Sequence, residues 1–100
     1  MEVIYQRALA LELERRKIQY KREQEITLYY DAIKIGSRKA DFIIEDYFLV
    51  ELKAISILEN THIIQAKNYL TAFRLQHGLL INFGALKLEY KRIYPGNNIY

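Results

Sequence analysis

Residues 40 to 53 read as a hairpin whose alternation leaves only one register open. Phe42, Ile44, Phe48, Val50 and Leu52 stand two residues apart on either side of a short polar break, and successive strand side chains point to opposite faces. With residues 45 to 47 as the turn, those five make one apolar face. The other face then sets Asp41 opposite Glu51, with Lys53 two residues further on. A slip of one residue would mix the two sets, so the apolar pattern itself gathers the charges. Charge inside an apolar hairpin is costly unless it has a partner. The hairpin therefore constrains chemistry as well as fold.

The rest of the chain supplies layers for this hairpin. Residues 2 to about 17 predict a helix, with Ile4, Ala8 and Leu11 beside Tyr5, Leu9 and Leu13 as a broad apolar stripe and Arg15-Arg16-Lys17 as its end. Residues 20 to 31 alternate like a strand, and Ile35-Gly36-Ser37 suggests a turn into the hairpin. A second helix is expected from about Thr61 to Gln76, capped by Asn60 or Thr61 and ended by His77-Gly78. Leu79 to Phe83 is apolar on both faces, which suits an interior strand. Leu88 to Tyr94 reads as a last strand, before a loose Pro95-Gly96-Asn97-Asn98 tail. The order is α-β-β-β-α-β-β, an α/β chain of α+β type. One domain over residues 1–94 with a tail at 95–100 is expected, since 100 residues hold one core and not two.

Composition narrows the chemistry further. Cysteine is absent, which excludes disulfides and thiolate metal sites, so any metal would be a hard ion among oxygen ligands. No apolar run approaches the roughly 20 residues of a membrane span, and no apolar signal core follows the start. A cytoplasmic protein without a membrane partner is the expectation. Fifteen basic and twelve acidic residues leave a net charge of +3, compatible with a polyanion without requiring one. Nine tyrosines suit half-buried strand positions, with a few left for stacking on bases.

Asp41, Glu51 and Lys53 together supply what phosphodiester hydrolysis needs. Two neighbouring carboxylates repel unless a divalent cation sits between them. Such a cation lowers the pKa of water and polarises a phosphoryl oxygen. An ammonium beside it balances charge building on the phosphate. The carbonyl of Leu52 lies between the two side chains and is a further ligand candidate. Glu2 falls between Leu9 and Leu13 on the helical wheel, along the apolar stripe. Gln65 and Tyr69, four apart, meet at one edge of the apolar face of the second helix. Taken singly, each has a plain alternative: Glu51 and Lys53 as a surface ion pair, Glu2 as a helix-dipole partner, Tyr69 as a core-edge ring. His62 and His77 lie far apart without ligand spacing and read as structural or surface residues.

In order and spacing these residues resemble the PD-(D/E)XK nuclease superfamily, and more narrowly the GxxExxY protein family of small bacterial and archaeal proteins. The resemblance rests on Glu2-Val3-Ile4-Tyr5, Ala40-Asp41-Phe42-Ile43-Ile44, Val50-Glu51-Leu52-Lys53-Ala54, Gln65-Ala66-Lys67-Asn68-Tyr69 and Gly78 to Gly84. It implies a restriction-endonuclease-like mixed central sheet flanked by helices. By similarity, Asp41, Glu51 and the Leu52 carbonyl would bind Mg2+ or Mn2+, with Glu2 completing the acidic cluster. Lys53 would assist the attacking water, and Gln65 and Tyr69 would order the site. The implied activity is cleavage of nucleic acid, foremost DNA, with a homodimer as the arrangement that would cut both strands. The family's opening glycine has no counterpart, because Met1 directly precedes Glu2, and an N-terminally short copy is expected. Two rivals follow from that start. One is a catalytically degenerate nuclease-fold module that binds nucleic acid or a protein partner, and the other is a structural fragment that pairs with another chain.

Overall fold

The computed structural model describes residues 2–95. Helix α1 (Glu2–Arg15) leads into β1 (Tyr20–Tyr30), β2 (Ile33–Ile44) and β3 (Phe48–Lys53), followed by α2 (Asn60–Ala72), β4 (His77–Asn82) and β5 (Glu89–Ile93). The five strands form one sheet in the order β1-β2-β3-β4-β5. β3 and β4 run parallel while the other neighbours are antiparallel. A parallel pair needs a crossover, which α2 provides. Residues 96–100 of the expected tail lie outside the described residues. No described helix is long and apolar enough to cross a membrane.

The central hairpin takes the register that its apolar pattern selects: Phe42 pairs with Val50, Ile43 with Leu49 and Ile44 with Phe48. Its turn places Glu45 and Asp46 at φ 54 and 61, and the Tyr47 amide closes it on the Ile44 carbonyl at 3.1 Å. Apolar residues then divide between two layers. Ala10 and Leu13 of α1 pack on Phe42, Val50 and Leu52. Ala66 and Leu70 of α2 pack on Ile43, Leu49, Leu80 and Ile93 from the other side. A helix thus covers each face of the central strands.

Both helices end in the same closure. Lys17 and Arg74 adopt φ 57, and the following amides reach back, Ile18 to the Leu13 carbonyl and Leu75 to the Leu70 carbonyl, each at 2.9 Å. These are Schellman motifs. The second one ends α2 at Ala72 rather than the expected Gln76, because Arg74 in the left-handed region cannot continue a helix. His77 and Gly78, expected as the helix stop, are the first residues of β4. At its other end α2 is capped by Glu59, not Asn60 or Thr61. The last strand is also shorter than the Leu88–Tyr94 reading.

Two other expectations are corrected. The turn before the central hairpin is not Ile35-Gly36-Ser37, which lies within β2. It is Asp31-Ala32, with φ 48 and 64, the signature of a type I′ turn between paired strands. Gly36 instead sits where the β1–β2 register shifts, next to Leu28 and Tyr29, the position of a bulge. The stripe of α1 is also narrower than expected. Tyr5, Gln6, Leu9, Ala10 and Leu13 face the sheet, whereas Ile4 and Leu11 are exposed. Leu13, held by the Schellman closure, and Gln6, held by a hydrogen bond to Asp41, set that rotation.

Candidate active site

Strict alternation would put Ala40 and Phe42 in one layer, yet they belong to opposite ones. The break falls at Asp41. The pairing of β1 with β2 lapses at the same level, between Arg22–Phe42 and Gln24–Ala40, and Glu23 there takes φ 54. On the other side the β2–β3 ladder ends at Phe42–Val50. Backbone groups freed by that parting need partners, and side chains supply them. The Leu52 amide donates to Asp41 Oδ2 at 2.7 Å, and the Asp41 amide donates to Glu51 Oε1 at 3.3 Å. The two carboxylates thus stand in for rungs of the ladder and are fixed beside one another.

Burial makes this arrangement electrostatically tense. Glu51 is only 8% exposed, and its carboxyl is pushed up to about 9, first by desolvation and then by the charge of Asp41. Alone, the pair cannot comfortably carry two negative charges. Asp41 accepts a further bond at Oδ1 from Gln6 Nε2 at 2.9 Å. Gln6 Oε1 in turn accepts from Arg22, at 3.3 Å from Nε and 3.2 Å from Nη2. A chain of hydrogen bonds therefore joins the guanidinium of Arg22 to the acidic pair through one amide.

Toward α2, Glu51 lines a small cavity with Lys53, His62, Gln65, Ala66, Tyr69 and Leu80, about 20 Å³ in volume. That is room for one water-sized sphere. The structure thus brings Glu51, Lys53, Gln65 and Tyr69 around one cavity. The Tyr69 hydroxyl is raised above its ordinary pKa by burial, with the charge of Glu51 adding to it. Glu2 is exposed on the first turn of α1, one helical turn before Gln6 and so on the same side. Among the described residues no third carboxylate or histidine joins Asp41 and Glu51 within metal-ligand reach.

The sequence pattern does not single out Gln6 or His62 as site residues. The signal for Gln6 is that it alone is polar among the inward positions Tyr5, Gln6, Leu9, Ala10 and Leu13. His62 Nδ1 accepts the Glu59 amide at 3.0 Å, so it caps α2 while its ring borders the cavity. Asn82, wholly buried in an apolar strand, is a third residue that the pattern does not mark. Its Nδ2 donates to the Ile55 carbonyl at 2.9 Å and to Glu89 Oε1 at 2.8 Å. Its Oδ1 accepts from the amides of Ile55 at 2.9 Å and Gly84 at 3.0 Å. With Phe83 N–H donating to the Lys53 carbonyl at 2.8 Å, this clasp fixes the loop that follows Lys53.

The donor set fits a hard divalent cation. Asp41 and Glu51 offer oxygen ligands that retain free lone pairs beyond their single amide or side-chain donors, and a cation between them would relieve the tension that raises Glu51. Asp41, Glu51 and the Leu52 carbonyl would hold it.

Known proteins share this fold. A family model described as the PD-(D/E)XK nuclease superfamily matches residues 1–93. The crystal structure of SSO0001 superposes with a TM-score of 0.76 at 18% sequence identity, over 97% of this chain and 51% of that one. The chain therefore spans about half the length of that protein, and the likeness is one of fold: a restriction-endonuclease-like mixed sheet flanked by helices. No curated protein sequence matches the chain.

Proposed function

The chain belongs to the PD-(D/E)XK nuclease superfamily, and from that premise we propose that it is a metal-dependent nuclease hydrolysing phosphodiester bonds of DNA. The observation that carries this reading is the mutual anchoring of Asp41 and Glu51 at the parting of β2 and β3, with Lys53 two residues on. The order of its motifs supports the narrower GxxExxY kinship as part of the same reading.

In this mechanism Asp41, Glu51 and the Leu52 carbonyl would hold a Mg2+ or Mn2+ ion, with Glu2 as a further ligand. When bound, the ion lowers the pKa of water and polarises the phosphoryl oxygen. Lys53 presents its ammonium to the phosphate and balances the charge that grows there as water attacks phosphorus in line with the leaving oxygen. Gln65 and Tyr69 line the same cavity and orient water or phosphate oxygens by hydrogen bonds. Gln6 holds Asp41 in the rotamer that meets Glu51.

The test is to titrate magnesium or manganese into the purified protein and into Asp41→Asn, following heat release and nicking of supercoiled plasmid together. Binding and nicking in the parent, both lost in Asp41→Asn, are expected. A parent that binds DNA but neither takes up the ion nor nicks would instead establish the degenerate, binding-only module.

A further inference from the structure

The edge strand β5 and the flank of α2 turned away from Glu51 border an open groove of about 440 Å³, lined by Ile63, Lys67, Tyr90, Lys91, Arg92 and Tyr94. That volume lies in the range of sites that hold small organic groups. The lining has three cations and, among the described residues, no carboxylate. Ion pairs among those residues engage Arg15, Arg16 and Lys21 instead. The groove is therefore a concentrated positive region on a chain of modest net charge.

Its aromatic content is equally specific. Tyr90 is 71% exposed and Tyr94 57%, two rings left open on an edge. Lys91 lies on the α2 side of β5, whereas Tyr90 and Arg92 lie on the other side, so the positive region wraps the sheet edge. Arg92 is already ordered there: its guanidinium carbon lies 4.9 Å from the Phe48 ring centre and 5.4 Å from that of Tyr94. Its Nη2 is 2.8 Å from His77 Nδ1. A cation held this way loses little freedom on meeting an anion.

An open edge also invites another β-strand, but Lys91 and Arg92 are the kind of charged side chains that keep edges from pairing. Cations interleaved with exposed rings suit a chain of phosphates and flat bases. A duplex hides its base faces within the stack and shows only edges in its grooves. Rings such as Tyr90 can stack only on bases that are unpaired.

The geometry points to a binding site for single-stranded nucleic acid along β5, separate from the acidic pair. The site lies across α2 from that pair: Gln65 and Tyr69 line one flank, Ile63 and Lys67 the other, and Ala66 and Leu70 pack on the sheet between them. The separation is one helix diameter, about 10 Å. This inference rests on the nuclease reading and narrows it to substrates with a single-stranded segment beside the bond that is cut.

The full chain is titrated, in EDTA, into a fluorescein-labelled oligothymidylate of about 12 nucleotides, followed by fluorescence polarisation. Lys67→Glu combined with Lys91→Glu is expected to weaken binding at least tenfold. It should also flatten the log–log salt slope by about 0.7 for each phosphate no longer neutralised. Tyr90→Ala is expected to weaken binding about tenfold with the slope kept, and Tyr90→Phe to retain it. Urea midpoints matched to the parent identify the variants that remain folded. Parent-like binding by folded charge-reversed and Tyr90→Ala variants overturns the site. So does equal affinity for poly-glutamate or for a duplex of the same length. A parent that binds here yet fails, with magnesium, to cut an oligonucleotide whose single-stranded segment adjoins a duplex counts against the nuclease reading while leaving the groove standing.

Discussion

Asp41 and Glu51 are held by each other's strands: the Asp41 amide donates to Glu51 Oε1, and the amide following Glu51, that of Leu52, donates to Asp41 Oδ2. Asn and Gln keep an acceptor oxygen at these positions, so Asp41→Asn and Glu51→Gln can remove charge without necessarily opening the hairpin. Alanine removes the charge and the acceptor together.

Lys53 is the place to separate catalysis from binding. Lys53→Ala is expected to slow plasmid nicking about a hundred- to thousandfold, the usual cost of losing one preorganised charge-stabilising group. Heat of metal binding should be retained, because an ammonium is not a ligand. Unchanged nicking would remove Lys53 from the mechanism.

Stability should depend on pH through Glu51. Its carboxyl titrates ordinarily at 4.5 and in the folded chain at about 9, so between those values the folded state holds a proton that the unfolded state has lost. Its contribution is full below 4.5 and is lost as pH rises through about 9. Urea midpoints of the metal-free parent should therefore fall from mildly acidic to alkaline pH, and those of Glu51→Gln should fall less. Metal binding near neutral pH should release a proton, seen as a dependence of the binding heat on buffer ionisation enthalpy. A parent and Glu51→Gln with superimposable pH profiles would contradict the burial argument.

In the proposed mechanism Gln6 acts on the metal through Asp41. Gln6→Leu keeps the size and apolar packing of the inner face of α1 but removes the donor to Asp41 Oδ1. Metal affinity should drop about ten- to hundredfold, as it does when the partners behind metal ligands are removed. The thermal midpoint should change little by comparison. Equal affinity in calorimetry would reduce Gln6 to a packing residue.

Two glycines should respond in opposite ways. A Cβ at Gly84 would overlap the backbone of Ala54 and Ile55, just beyond Lys53, so Gly84→Ala is expected to cost about 1–3 kcal/mol. At Gly36 a Cβ meets nothing within 4 Å and φ is not in the left-handed region. Gly36→Ala should be neutral or stabilising by up to about 1 kcal/mol. Urea midpoints of the two variants check both expectations.

The hairpin was legible because five apolar residues at period two admit a single register, and Asp41, Glu51 and Lys53 follow from it. The break at Asp41 was not, since alternation describes a ladder made of backbone bonds and carries no sign that carboxylates will replace its rungs. Gly36 misled for a related reason: a glycine marks both turns and bulges, and here Asp31 and Ala32 accept the left-handed conformation that a turn requires. In α1 the wheel offered more apolar residues than the sheet can cover. A buried hydrogen bond from Gln6 and a helix closure at Leu13 decided which of them went inside. Neither interaction has a sequence period.

The parting of β2 and β3 bears finally on how such a chain would lose its activity. Asp41 and Glu51 satisfy main-chain amides, so pressure to fold alone would retain an acceptor at each position after cleavage had ceased. An ammonium has no lone pair with which to receive an amide, and Lys53 is free of that obligation. Among chains built on this hairpin, the lysine rather than the acids is the informative mark that separates those that cut from those that only hold.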